Sequence, residues 1–203
     1  GLGAAGAVAA WRLQRARAER ALEGERERAA ALSVVDDLTG CFNTHGVELL
    51  GDHVLQLVRR QSGAMHCAVI EVEGLAPVLD ALGASAVEEV LVAVSEALRG
   101  ATRGSDVVGR SGEVTFVVVG PGTGMGALDL ERRLRGSLLQ APPLSLREWP
   151  CTVLVGVGQL QPWDSGGVPE LVAKADEDLG LRRALRAPAV DPQPSSPVSD
   201  PRA

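Results

Sequence analysis

The chain has 203 residues, 45% hydrophobic and 23% charged, which is enough apolar side chain for the core of one globular domain with extensions. Aromatic residues make up 2%, with no tyrosine, which argues against a stacking platform for single-stranded nucleic acid. Twenty basic against 26 acidic side chains leave a net charge of -6, which excludes a globally basic nucleic-acid binder, and with Lys174 as the only lysine any anion site must be a cluster of arginines.

The chain carries no initiator methionine, so it is expected to begin inside a longer protein. Residues 1–10, GLGAAGAVAA, read as the cytosolic end of a membrane helix, with Trp11 at the interface and Arg12, Arg15, Arg17 and Arg20 on the inner side. An alanine-rich soluble helix is the other reading of the same residues. Residues 11–33 follow as a connector helix of Ala, Leu, Arg and Glu, whose thin apolar stripe would gain stability by pairing with a copy of itself. That arrangement places the globular part in the cytoplasm, tethered to the inner face of a membrane. The three cysteines, Cys41, Cys67 and Cys151, have no CxxC spacing and read as reduced thiols.

The globular domain is expected over 34–187. Asp36 or Asp37 caps a helix or turn before Gly40. Val47, Leu50, Val54, Leu57 and Val58 fall on one face of a helix, and MHCAVIEVEG is a strand. An amphipathic helix, AVEEVLVAVSEALRGA, ends at Gly100, and SDVVGRSGEVTFVVVGP reads as a hairpin around Arg110 to Glu113. The helix LDLERRLRGSLLQ, the strand CTVLVGVGQL and the helix GVPELVAKADEDLGLRRALR complete an α/β sandwich with a mixed central sheet. His45 and His53 have no metal-like spacing, and His66 reads as the exposed start of a strand. The glycines of 120–126 read as a flexible loop, and 188–203, rich in proline and serine, as disordered.

Several pieces together resemble a known family. Asp36-Asp37-Leu38-Thr39-Gly40-Cys41-Phe42-Asn43 is similar to the DxLTGLxN opening of GGDEF domains, the catalytic domains of diguanylate cyclases. AVIEVEGLAPVLDALGASAVEEVL, RGSDVVGRSGEVTFVVV, TVLVGVG and AKADEDLGLRR follow in the family's order. The resemblance implies a nucleotide-cyclase-like fold and a face-to-face dimer that joins two GTP into cyclic di-GMP with a divalent metal such as Mg2+ held between carboxylates.

The departures concern the chemistry. Gly112-Glu113-Val114-Thr115-Phe116 stands where the family has GG(D/E)EF, so Val114 and Thr115 replace both acidic residues, one of them a metal ligand. Glu113 puts a carboxylate where a glycine would let the backbone approach phosphate. Glu71 matches the first metal-binding aspartate, with Glu73 on the same side of the strand. Leu79 and Glu88 stand where an asparagine and an aspartate would read guanine, and Ala76 and Arg183 replace two lysines. A pseudo-enzyme with no metal or cofactor is expected.

What the resemblance retains is Arg103-Gly104-Ser105-Asp106, five residues before Gly112, the spacing of the family's RxxD site for cyclic di-GMP. A guanidinium suits guanine N7 and O6, and a carboxylate suits the N1 and N2 hydrogens. Arg132, Arg133 and Arg135 are candidates for a second basic contact. The expected function is therefore an inactive signalling domain that binds cyclic di-GMP. The alternatives are a protein interaction or dimerisation domain that binds no nucleotide, and a weak diguanylate cyclase using Glu71, Glu73 and Glu113 with Mg2+.

Overall fold

The segment Met65 to Val72, apolar except for His66 and Glu71, forms the strand that lies between two others. In the computed structural model, which describes residue 15, residues 33–149 and residues 151–186, this is β1 (Met65–Glu73). It pairs with β3 (Thr115–Pro121) on one side and β4 (Thr152–Leu160) on the other, and β2 (Val107–Arg110) lies outside β3. The order is β2-β3-β1-β4 and every ladder is antiparallel. The parallel component of the sheet is one bridge, from Phe42 to Gly109.

Because side chains alternate along a strand, the sheet has two apolar faces and each is covered by helices. One face carries Met65, Cys67, Val69, Val117, Val119 and Leu154. It packs against α1 (Thr44–Arg60) and α5 (Val168–Arg186), to which the helices contribute Val47, Leu55, Leu171 and Leu179. The other face, with Ile70, Val72, Phe116, Val118, Val153 and Val155, lies under α2 (Leu75–Leu82), α3 (Ala84–Ala101) and α4 (Ala127–Gln140). Gly156 and Gly158 leave β4 bare where α5 crosses, so that the helix backbone at Ala175 rests directly on the strand.

Both sheet edges are closed. On β4, Val155 N–H donates to Glu131 (3.0 Å) and Val157 N–H to Asp178 (2.9 Å). Arg186 and Arg182 hold those two carboxylates in place. On β2, Phe42 N–H donates to the Val108 carbonyl (3.1 Å) and Arg110 N–H to the Phe42 carbonyl (2.7 Å). Covered edges cannot template pairing with another strand.

Some expectations are corrected. Leu57 points outward at 43% exposure and Leu55 takes the inward position. The expected helix over 86–101 lies within α3, and a further short helix, α2, precedes it, separated by Gly83 at φ +82. Gly100 does not end α3, which runs to Ala101. His66 is not an exposed strand start; it is buried in β1. The glycine segment 120–126 packs against that ring: Gly122 N–H donates to the Ala64 carbonyl (2.7 Å), and Gly124 lies over His66. The membrane-end reading of 1–10, the tail at 188–203 and the connector at 11–33, apart from Arg15 and Ser33, lie outside the described residues. Among the described residues no helix is long and apolar enough to cross a membrane.

Candidate functional site

The site is assembled at the ends of the strands from four local devices. The first is the opening turn. Of the two candidate caps, Asp36 is the one used: its carboxylate accepts from Thr39 N–H (2.9 Å) and from Thr39 Oγ1 (2.6 Å). Arg110, the last residue of β2, reaches the same carboxylate at 3.3 Å. The other end of that guanidinium donates to the Glu113 carbonyl (2.6 Å), so Arg110 bolts the opening turn to the hairpin tip. Burial pushes the Asp36 carboxyl up, but the Thr39 hydrogen bonds and the Arg110 charge outweigh it and hold it below its ordinary value of 3.8. Nothing in the local sequence marks this pairing, since the two residues are 74 positions apart.

The second device is the hairpin that stands in place of GG(D/E)EF. Gly112, Glu113 and Val114 form the tip, closed by Ser111 N–H donating to the Thr115 carbonyl (2.9 Å), while Phe116 is fully buried in the core. Thr115 is the cross-strand partner of Glu71, so the two side chains share one face of the sheet. Glu71 is ion-paired with Arg183 from α5, and Glu73 accepts from Thr152 Oγ1 (3.2 Å). This donor set does not fit a resident divalent cation. Magnesium selects carboxylate and water oxygens in near-octahedral array. Here the one carboxylate facing the hairpin already has a guanidinium counterion, and its cross-strand partner is a neutral hydroxyl. Among the described residues no three His, Cys, Asp or Glu side chains are placed to hold a metal ion together. The cysteines offer no alternative nucleophile: all three are buried and free, and burial, with the nearby Asp176 charge, pushes the Cys67 thiol up to about 12.

Further along, Leu79 and Ala76 are exposed on α2. Glu88 lies on the outer side of α3, in a groove of about 680 Å³ shared with Leu38, Glu96 and Leu144. The neighbouring Glu89 accepts from Ser145 N–H (3.1 Å), which ties down the segment after α4, and the Ser145 hydroxyl together with that N–H holds the carboxyl below the ordinary range. Three glutamates along this groove oppose an approaching phosphate.

The third device is the Arg103–Asp106 turn between α3 and β2. Asp106 accepts from Arg103 N–H (2.8 Å), and Asp106 N–H donates to the Arg103 carbonyl (3.0 Å). The aspartate therefore shapes the turn instead of pairing with the arginine side chain. Its side chain is only 5% exposed, and its second oxygen, Oδ1, is buried without a hydrogen-bond partner. The Arg103 guanidinium is exposed and makes no hydrogen bond or ion pair.

Two cavities flank the turn, one of about 270 Å³ toward Cys41 and Phe42, the other of about 190 Å³ toward His66 and Gly124. Arg132, Arg133 and Arg135 are not brought to either cavity. Arg132 pairs with Asp129 (3.1 Å), Arg132 and Arg135 line a different cavity beside Trp149 and Thr152, and Arg133 lines none of the three.

The fourth device is the last turn of α3, which supplies a basic neighbour to Arg103 that the sequence did not suggest. Arg99 lines the larger of the two cavities and donates to the Thr39 carbonyl (2.7 Å). Its signal in retrospect is position: four residues before Arg103, at the end of a helix that must terminate beside the opening turn.

Comparison with known proteins gives a consistent result. The family model described as "Diguanylate cyclase, GGDEF domain" matches residues 33–185. A probable diguanylate cyclase of Escherichia coli K12, DgcC, is 28% identical over 102 residues, which is 50% of this chain and 28% of that protein. The chain thus spans about a quarter of the curated relatives it matches. Among solved structures, the diguanylate cyclase SiaD of Pseudomonas aeruginosa, crystallised with its activator SiaC, superposes with a TM-score of 0.65 at 23% identity, over 86% of this chain and 69% of that one. The GGDEF domain of DgcB from Caulobacter crescentus, crystallised with c-di-GMP, gives 0.64 at 18% identity, over 74% of this chain and 88% of that one. At these identities the superpositions establish the fold.

Proposed function

The chain belongs to the GGDEF domain family, and within that family we propose that it is a non-catalytic member that binds cyclic di-GMP at Arg103 and Asp106. The observation that carries this reading is a contrast in unpaired polar groups. Glu71 has its counterion in Arg183, whereas the Arg103 guanidinium and Asp106 Oδ1 have no hydrogen-bond partner in the protein. In the proposed complex Arg103 reads the N7 and O6 edge of one guanine. Asp106 Oδ1 accepts from that guanine's N–H groups, and Arg99, already fixed by Thr39, faces a phosphate. Occupancy would be passed through the connector, residues 11–33, to a second copy or a partner at the inner face of a membrane. Transmission requires that the ligand favour one arrangement of that connector over another.

Calorimetry with cyclic di-GMP tests the reading. Binding is expected for the parent chain, and Arg103→Ala should weaken it by roughly 10- to 100-fold, as for the loss of a charge-assisted hydrogen bond. No binding by the parent, or equal binding by Arg103→Ala, refutes the receptor role. Incubation with GTP and Mg2+ or Mn2+ should yield no cyclic di-GMP, and product formation would refute the non-catalytic role. A second reading, an interaction domain that binds no nucleotide, is favoured by Leu79 and Leu82, both half exposed on α2. It predicts a partner complex that Leu79→Asp disrupts and cyclic di-GMP leaves unchanged.

A further inference from the structure

Among the described residues three buried side-chain polar atoms lack a hydrogen-bond partner, and two of them, His66 Nδ1 and Asp106 Oδ1, belong to one cluster. His66 is 8% exposed, and its Nε2 lies 4.0 Å from Asp106 Oδ1, beyond hydrogen-bond range yet with no other group of opposite charge nearer. Two glycines make the space. Gly120 faces His66 across the β1–β3 ladder, and a Cβ there would overlap the Asp106 carboxylate. Gly124, at φ +67, lies against the His66 ring, where any Cβ would collide with it. Seating a histidine against an aspartate in this way and leaving an atom of each unpaired works against stability, because buried polar groups are ordinarily satisfied. Such an arrangement points to a ligand or a proton as the missing partner.

Resting on the reading of Arg103 and Asp106 as a ligand site, we propose that His66 is its third polar residue, and that the proton on His66 decides whether Asp106 can accept a hydrogen bond from bound guanine. With the ring neutral and its single proton on Nδ1, Nε2 offers Asp106 no N–H, so Oδ1 stays open and can accept from guanine N1–H and N2–H. With the ring protonated, a small movement brings an imidazolium N–H onto Oδ1, and the ligand must then displace it.

The charged groups facing His66 are Asp106 and Arg103, both from the turn before β2. The neighbours from β3, β4, the glycine segment, α3 and α4 (Val118, Gln159, Gly124, Ala101 and Leu130) carry no charge. Burial holds the imidazole below its ordinary 6.5, with Arg103 acting in the same direction, while Asp106 and the Pro121 and Gly122 carbonyls oppose them. The ring is therefore neutral at neutral pH and the site open; acidification closes it. By reciprocity, bound ligand must lower the affinity of His66 for its proton.

The experiment is calorimetric titration of the full chain with cyclic di-GMP from about pH 8 to about pH 5, with His66→Gln as the comparison. The parent should bind about tenfold more weakly at the acid end, the worth of one competing hydrogen bond to a charged group. His66→Gln, whose amide offers an N–H at every pH, should bind with little pH dependence. Imidazole resonances of the parent should place the His66 midpoint below 6.5, moving lower still on ligand saturation. Equal parent affinity across the range, or a pH dependence that persists in His66→Gln, overturns this inference alone. No binding at any pH overturns it together with the receptor reading.

Discussion

Asp36→Ala should be among the most costly changes outside the core, and its cost can be worked from the contacts. The carboxylate accepts two hydrogen bonds from Thr39, at 2.9 and 2.6 Å, and meets Arg110 at 3.3 Å. The two ionised side chains are 23% and 16% exposed, so solvent screens them only in part. Removing the carboxylate strands the Thr39 N–H at roughly 1–2 kcal/mol and leaves a mostly buried guanidinium without its counterion at roughly 1–2 kcal/mol more.

The expected loss is about 3 kcal/mol, or a fall in Tm of roughly 6–12 °C for a domain of this size. Asp36→Asn keeps the acceptor for Thr39 and should lose about half as much. The folded-state pKa lies below the ordinary 3.8, so this stability is fully present above that value and is lost as pH falls through the folded pKa. Urea denaturation of the three proteins at neutral pH measures the loss, and hydrogen exchange at 111–114 reports whether the hairpin tip is freed with it. A loss under about 1 kcal/mol, or unchanged exchange at the tip, would refute the claim that Arg110 bolts the two segments together.

Four other substitutions probe separate features. Gly120→Ala places a methyl group against the Asp106 carboxylate; it should cost roughly 1–3 kcal/mol in urea denaturation and abolish cyclic di-GMP binding in calorimetry while the fold persists. Glu131→Ala removes the acceptor for Val155 N–H and the partner of Arg186, so it should cost about 1–2 kcal/mol and, by uncovering the β4 edge, raise self-association in sedimentation. Gly156→Ala should cost upward of about 3 kcal/mol, because a Cβ there runs into the α5 backbone at Ala175 and Leu179. Gly100→Ala, with open space around it in a helix, should instead stabilise by about 0.5–1 kcal/mol.

The elements of this fold were legible because their signals are local. The run from Cys67 to Ile70 is apolar on both faces, as a strand between two helical layers must be, and the apolar period of α4 and α5 places Leu134 and Leu171 inward without help from the rest of the chain. The family resemblance implied the sandwich, whereas the strand order β2-β3-β1-β4 came only with the structure. Leu57 misled because the apolar stripe of α1 is wide, and only the neighbouring strand decides which edge of it is covered. The chemistry of the site was less legible because it depends on pairs far apart in sequence. Glu71 and Arg183 were each singled out, but their meeting spans 112 positions and leaves no local trace. His66 read as exposed because a polar side chain near a strand start normally is; the two glycines that bury it lie more than 50 positions later.

The unpaired atoms separate the two ends of the site by the kind of ligand each could accept. A carboxylate that binds metal must give up solvent but not a protein counterion, and Glu71 would have to release Arg183 before it could hold a cation. A nucleoside triphosphate arriving without that cation would meet Glu71, Glu73 and Glu113 with its charge unneutralised. At the other end the balance is reversed. The Arg103 guanidinium is already free in water, and Asp106 Oδ1 is already stripped of it, so in the proposed complex a guanine that offers an acceptor edge and a donor edge breaks no protein hydrogen bond on arrival. In that complex the Asp106 carboxylate, held by the Arg103–Asp106 backbone turn that forms without ligand, adds little ordering cost, whereas the free Arg103 side chain is ordered only on binding.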